Sequence, residues 1–355
     1  MSEYAGEFVL FFLASFAIAL ILTLLTRRLA LFLRVHDFPN TPRKIHTEPR
    51  PTLGGVALFL AFTIGLVILG LAGLTGEVAG SRLAAMVIGG AILIIGGALD
   101  DKYDLPAYVQ VIFPLLAALI VVGSGVHISY ITNPLGGALV LDRYKLGTFP
   151  ILGSVVVLVW ILGMTYTTKF LDGMDGLVSG ISGIAGLVIF GLSLAPAVQQ
   201  TTTAFVSLTF AAVCFGFLPF NFHPAKIFLG EGGSTFTGFM IGVLAVISGG
   251  KIATALLVLG IPILDAAWVI ARRLVSRASP FVGDKQHLHF RLLDIGLSQR
   301  QAVLFLYFLA AVFGGIAVFL QSRGKLIALG ALFSVMVVVA IIVVVLYRRK
   351  QKQGS

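Results

Sequence analysis

Apolar runs of about twenty residues recur along the chain, separated by short polar stretches. A helix of about 20 residues rises about 30 Å, the thickness of a bilayer's hydrocarbon core. The pattern predicts spans at residues 7–26, 53–73, 83–99, 106–124, 149–168, 179–195, 201–220, 233–249, 252–271, 301–321 and 326–347. This is the pattern of an all-α polytopic membrane protein with about 11 transmembrane helices, or 10 if one run does not cross. The first run has no basic region before it and no small-residue cleavage site, so a retained helix is expected. Residues 1–355 are expected to form a single transmembrane domain. The main loop on the side away from the basic stretches, residues 125–148, contains ALVLDRYKLG, which suggests a short hairpin.

Composition narrows the class. The 355 residues are 58% hydrophobic and 11% charged, with a mean hydropathy of +1.03. Soluble domains carry about 25% charged residues. A soluble multidomain enzyme, a disordered chain and a disulfide scaffold are all excluded. The one cysteine, Cys214, sits in an apolar run and cannot form an internal bridge.

The net charge of +10 is compatible with nucleic acid, but its placement argues for orientation instead. With the N-terminus outside and the C-terminus cytoplasmic, nineteen of 25 Lys and Arg fall on the inside. That is the bias of the positive-inside rule. Eleven of the 15 acids fall on the same face, where the rule does not require them. Carboxylates at helix ends are costly unless partnered. Their concentration at one face suggests a polar site opening to the cytoplasm.

Five polar stretches carry candidate chemistry, in loops near 27–52, 100–105, 169–178, 221–232 and 272–300. Asp100 and Asp101 are adjacent carboxylates at a membrane boundary, and a divalent cation or a proton would relieve their repulsion. Asp172-Gly173-Met174-Asp175-Gly176 puts two acids three residues apart, near one face of a helical turn. Phe228 to Ser234, FLGEGGS, carries Glu231 ahead of a Gly-Gly-Ser turn, where backbone N–H groups favour anions. Asn221, His223 and Lys226 lie just upstream. The long basic loop holds His287, His289 and Arg291; two His two residues apart do not share a helix face but do on an extended segment. The first loop holds Lys44 and His46 at headgroup height. Each stretch has a bland alternative: a solvated cap, a glycine-rich turn, an interfacial anchor or a basic loop.

Together these segments resemble the polyprenyl-phosphate N-acetylhexosamine-1-phosphate transferases. The order matches from residue 37 to about 300: DFPNTPRKIHTEPRPTLGG, GGALDDKYDLP, KFLDGMDGL, FNFHPAKIFLGEGGS, GIPILD and DKQHLHFRLLDIGLS. The likeness is nearer the WecA/TagO-like branch than MraY. It implies transfer of a HexNAc-1-phosphate, GlcNAc first, from a UDP-sugar to undecaprenyl phosphate with release of UMP. It implies Mg2+ (Mn2+ as the substitute ion), a bacterial cytoplasmic membrane with the site facing the cytoplasm and no nucleic acid; it is compatible with a homodimer, but the sequence does not read out the oligomeric state. By resemblance, Asp100 would accept the lipid phosphate's proton or act as nucleophile, and Asp101 and Asp172 would bind the metal or diphosphate. Glu231 stands at the family's metal-binding acid. Lys44, His46, Lys169, Asp175, Asn221, His287, His289 and Arg291 would bind substrate. Three positions depart from the family: Lys169 replaces an Asn, Glu231 replaces an Asp, and Phe290 replaces a His. The alternatives are an MraY-type phospho-MurNAc-pentapeptide transferase, a degenerate non-catalytic member and a membrane transporter. A transporter should carry its charges near midmembrane and show inverted repeats; here the acids cluster at one face.

Overall fold

The computed structural model describes residues 4–37, 48–76, 78–133, 137–147, 149–196, 198–249, 252–275 and 287–353, and these are mostly helical. The chain opens with α1 (Ala5–Leu33), a two-stranded ribbon of β1 (His36–Asp37) and β2 (Arg50–Pro51), then α2 (Gly54–Leu71) and α3 (Gly80–Tyr103). The short α4 (Ala107–Gln110) runs into α5 (Ile112–Gly123). Two ribbons follow: β3 (Tyr130–Thr132) with β4 (Ala138–Val140), and β5 (Lys145–Leu146) with β6 (Phe149–Pro150). The remainder is α6 (Ile151–Leu171), α7 (Leu177–Ser193), α8 (Thr201–Asn221), α9 (Gly230–Ile247), α10 (Ile252–Val258), α11 (Gly260–Val275), α12 (Leu288–Asp294), α13 (Gln299–Phe319) and α14 (Ser322–Gln353).

Every predicted apolar run is helical. Among the described residues eight helices are long and apolar enough to cross a membrane, and the bent pair α10–α11 makes up to nine. The helical stretch 107–123 and α7 are apolar but shorter. This is a polytopic helical membrane protein.

Four local expectations change. Residues 252–271 are not one straight span: α10 and α11 meet at 80°. Pro262 has no N–H to offer the Val258 carbonyl, and Gly260 adds a weak helix former at the same place. The second change is at α3, which continues to Tyr103, so Asp100 and Asp101 lie in its last turn and not beyond it. Similarly, α9 starts at Gly230, placing Glu231 in its first turn. The third concerns ALVLDRYKLG, which does not fold on itself: its two ends pair with 130–132 and 149–150. Finally, His287 and His289 are not on an extended segment. His287 caps α12 and His289 lies in its first turn.

The core is built around α8 and α9. Phe205, Phe210, Phe217, Phe236 and Phe239 are fully buried there. Helices in a bilayer gain little from hydrophobicity alone, so close packing of small residues and hydrogen bonds hold them. Gly97 of α3 packs so tightly on Gly232 of α9 that a Cβ would strike the Gly232 backbone nitrogen. Gly55 of α2 meets Gly233 in the same manner. These contacts draw three helix ends together at the first turn of α9. Thr168 Oγ1 of α6 donates to Ser234 O of α9 at 2.8 Å, and Trp160 Nε1 donates to Gly242 O at 3.0 Å. In contrast, α14 is largely exposed and apolar, the character of a lipid-facing helix.

Candidate active site

The site is assembled on a backbone seam. Phe228 N–H donates to Pro51 O (2.8 Å), Gly54 N–H to Phe228 O (3.0 Å) and Gly55 N–H to Leu229 O (2.8 Å). The seam fastens the start of α2 to the segment entering α9. Gly230, at φ +71°, turns there between Thr52 O and the Asp101 carboxylate; any side chain would collide with both. The turn is why a glycine precedes Glu231.

Four predicted residues meet at this point. Glu231 N–H donates to Asp101 Oδ1 at 3.2 Å. Lys169 Nζ, at the C-terminal end of α6, lies 2.5 Å from Glu231 Oε1. A cation at the end of α6 and an anion at the start of α9 each suit their own helix dipole. Lys169 Nζ also donates to Gln110 Oε1 at 2.8 Å. Gln110 Nε2 in turn donates to Asp100 Oδ1 (2.9 Å) and Leu105 O (2.8 Å). Leu105 N–H completes the environment of Asp100 Oδ1 at 2.9 Å.

Asp172 joins the group electrostatically. It follows α6 directly, as the residue that ends that helix. The surrounding bundle desolvates it and the charges of Glu231, Asp175 and Asp37 repel it, which together push its carboxyl up to about 8. Glu231, Asp100 and Asp172 also place like charge around Asp101. Crowding of carboxyl groups here therefore favours uptake of a proton or a cation.

A second group is built from α11, α12 and the end of α6. Asp265 takes the Leu288 N–H (2.8 Å) on one oxygen and faces His287 Nδ1 (2.8 Å) with the other. The His287 ring stacks on His289 (5.5 Å between centroids, 10° between planes) and on Phe170. His289 is buried, and its Nε2 meets Gly173, the residue after Asp172. Burial holds the His289 imidazole down to about 4, so it is neutral. Its Nε2 is buried with no hydrogen-bond partner among the described residues, as are Tyr166 Oη and Thr52 Oγ1.

Asp175 and Asn221 are placed differently. Asp175 Oδ2 accepts the Ala225 N–H (3.0 Å) and lies 2.8 Å from His223 Nδ1. Asn221 accepts from Ser179 Oγ (2.8 Å) and donates to Ile227 O (3.1 Å). Both side chains fasten the 221–227 loop. Arg291 lies on α12, beside the His pair in sequence. Lys44 and His46 lie outside the described residues.

Sequence reasoning missed Gln110, Asp265, Asp37 and Tyr166 as neighbours of the site. An acid within an apolar run was a usable signal for Asp265. Nothing in the local pattern distinguishes Gln110.

The donor set can be tested against Mg2+. Among the described residues no three His, Cys, Asp or Glu side chains form a ready cage. Mg2+ needs less, since it binds through one or two carboxylates and keeps waters or phosphate oxygens. Asp101 and Asp172, crowded by like charge, suit that role. Glu231 is a third carboxylate, already engaged by Lys169.

Residues 83–249 match the family described as Glycosyl transferase family 4. That stretch contains the DD, DGMDG and Glu231 segments. The chain belongs to the polyprenyl-phosphate N-acetylhexosamine-1-phosphate transferase family. It is 32% identical to the "Probable undecaprenyl-phosphate N-acetylglucosaminyl 1-phosphate transferase" of Bacillus subtilis (strain 168), over 96% of this chain and 93% of that protein. It is also 32% identical to a "Decaprenyl-phosphate N-acetylglucosaminephosphotransferase" of Mycolicibacterium smegmatis, over 85% of this chain and 79% of the relative. A Salmonella typhi undecaprenyl-phosphate alpha-N-acetylglucosaminyl 1-phosphate transferase is 28% identical over 85% and 81%.

Proposed function

We propose that this protein transfers GlcNAc-1-phosphate from UDP-GlcNAc to undecaprenyl phosphate in the bacterial cytoplasmic membrane, releasing UMP. The observation that carries the reading is the convergence of Asp100, Asp101, Asp172 and Glu231 from three parts of the bundle into one cluster, in a chain of this family. The arrangement suits two anions that must meet at a membrane surface.

Asp100 Oδ1 is held by Leu105 N–H and Gln110, which fixes the carboxylate's direction. In this reading Asp100 takes the proton from the acceptor phosphate as it attacks the donor's β-phosphorus. Asp101 and Asp172 would hold Mg2+, with Glu231 alongside. The ion, when bound, supplies charge neutralisation and Lewis-acid polarisation to the diphosphate. Lys169 presents an ammonium to the same phosphates. Neutral His289 and the His287–Asp265 pair orient the sugar phosphate, with Arg291 adding charge, while Lys44 and His46 receive the lipid phosphate. Asp175 and Asn221 act on the nucleotide through the loop that they fasten.

The same reading gives eleven crossings, with 107–123, α7 and the bent α10–α11 each counted as one. The N-terminus is then outside and the recess cytoplasmic, as the basic residues imply.

Purified protein incubated with UDP-GlcNAc, undecaprenyl phosphate and Mg2+ should yield lipid-linked GlcNAc diphosphate and an equal amount of UMP. UMP without the lipid product would refute the reading. A donor panel with product mass measurement fixes the sugar.

A further inference from the structure

The Lys169 ammonium occupies a position that a divalent cation would also favour. It is 2.5 Å from Glu231 Oε1, and both side chains are about one-fifth exposed. At that depth the charges are only partly screened. Lys169 is also held from behind. The Gln110 amide has one orientation that satisfies every neighbour: its oxygen accepts from Lys169 at 2.8 Å, and its nitrogen donates to Asp100 at 2.9 Å and to Leu105 O at 2.8 Å. Reversing the amide would point N–H at an ammonium and oxygen at a carboxylate. The brace therefore has a fixed sense, running from Asp100 through Gln110 and Lys169 to Glu231.

We infer that Lys169 is a resident counter-cation that competes with the divalent metal for Glu231, and that Gln110 is the positioning residue that keeps it there. The inference rests on the transfer reading above for the presence of a metal. In the ligand-free state Lys169 lowers the site's appetite for a free divalent ion. When the ion arrives with the donor diphosphate, Lys169 has phosphate oxygens to move to, and Glu231 is released to the metal. The device favours metal arriving with substrate over metal alone. The exchange is one of ion pairs; no covalent bond forms or breaks.

The test is Mn2+ binding to the full-length protein in detergent, without substrates, read from the free-ion EPR signal. Lys169→Met should bind Mn2+ about tenfold tighter than wild type, the scale expected for residues that tune a metal ligand. Gln110→Leu keeps every charge and should give a smaller gain, about threefold, by loosening Lys169. In a Glu231→Gln background the Lys169→Met gain should disappear. That last arm separates competition for Glu231 from a general loss of positive charge, which would persist in either background. Equal Mn2+ affinity in Lys169→Met and wild type overturns the inference, as does a gain that survives Glu231→Gln. If Lys169→Met does not fold, Gln110→Leu decides: an affinity equal to wild type overturns it. Failure of the transfer reading would appear separately, as no lipid-linked product from the wild-type protein.

Discussion

The site and the elements that frame it hold two kinds of carboxylate. Asp175 and Asp265 are each closed off by the same pair of partners, one backbone N–H and one imidazole Nδ1 at 2.8 Å. They join distant segments: Asp175 holds the loop at 223–225, and Asp265 holds the start of α12. Asp101, Asp172 and Glu231 instead repel one another, and Lys169 pairs with Glu231. A satisfied acid stabilises its neighbours, whereas a crowded acid raises the free energy of the empty site and lowers it when a cation binds. In the proposed transfer reading, the difference separates framework from reactive groups.

The sharpest way to break this division is to neutralise one acid of each kind. Asp172→Asn replaces an acid whose ionisation the fold resists, so the fold should hold or gain stability while transfer falls by about 10²–10³-fold, the cost of losing a charge aimed at a transition state. Thermal unfolding and product assays on the same preparation check both halves. Unchanged transfer would place Asp172 with the framework.

Asp265→Ala should behave in the opposite way. It strands the Leu288 N–H and frees the His287 ring, at a cost of about 2 kcal/mol for two lost hydrogen bonds to a charged group. Because the His pair would be displaced and the carboxylates left in place, the loss should fall on donor KM, roughly tenfold, more than on kcat. A kcat loss at unchanged KM would move Asp265 into the reacting group. Asp175→Asn is milder. The Asn oxygen can still accept the Ala225 N–H, leaving a destabilisation of about 1 kcal/mol and transfer within about threefold of wild type.

How much of this was legible beforehand follows from what each residue depends on. All eleven apolar runs became helices because length and hydropathy are local properties. Asp100, Asp101, Asp172 and Glu231 were also readable, since acids at the ends of apolar runs are conspicuous. The partnership of each was not. Asp175 lies in the same five-residue stretch as Asp172, yet it is tied to a loop 50 residues away while Asp172 is left crowded. Gln110 reaches Asp100 because α3 ends in a left-handed residue, Asp104 at φ +51°, that returns the chain toward its own last turn. The His pair was misjudged for a related reason. Two-residue spacing does not share a helix face, but a cap residue is not yet on the helix, so His287 can still stack on His289.

His289 provides a finer comparison within the framework group, because it is buried without a charged partner of its own. In the unfolded chain an imidazole titrates near 6.5, whereas burial holds His289 down to about 4 in the fold. Between those values the unfolded chain takes up a proton that the folded chain refuses. Folded-state stability should therefore be complete above about pH 6.5 and decline as pH falls toward about 4. His289→Phe removes the titration and retains an aromatic face for the His287 stack. Its Nε2 has no hydrogen-bond partner among the described residues, so that loss strands nothing in the empty protein. The variant should match or exceed wild-type stability at pH 7 and lose less of it at pH 5, measured as thermal midpoints in one detergent. Parallel declines in both proteins would assign the acid sensitivity elsewhere. They would also mean that His289 is protonated in the fold at pH 5, a cation near the carboxylates there instead of a neutral part of their frame.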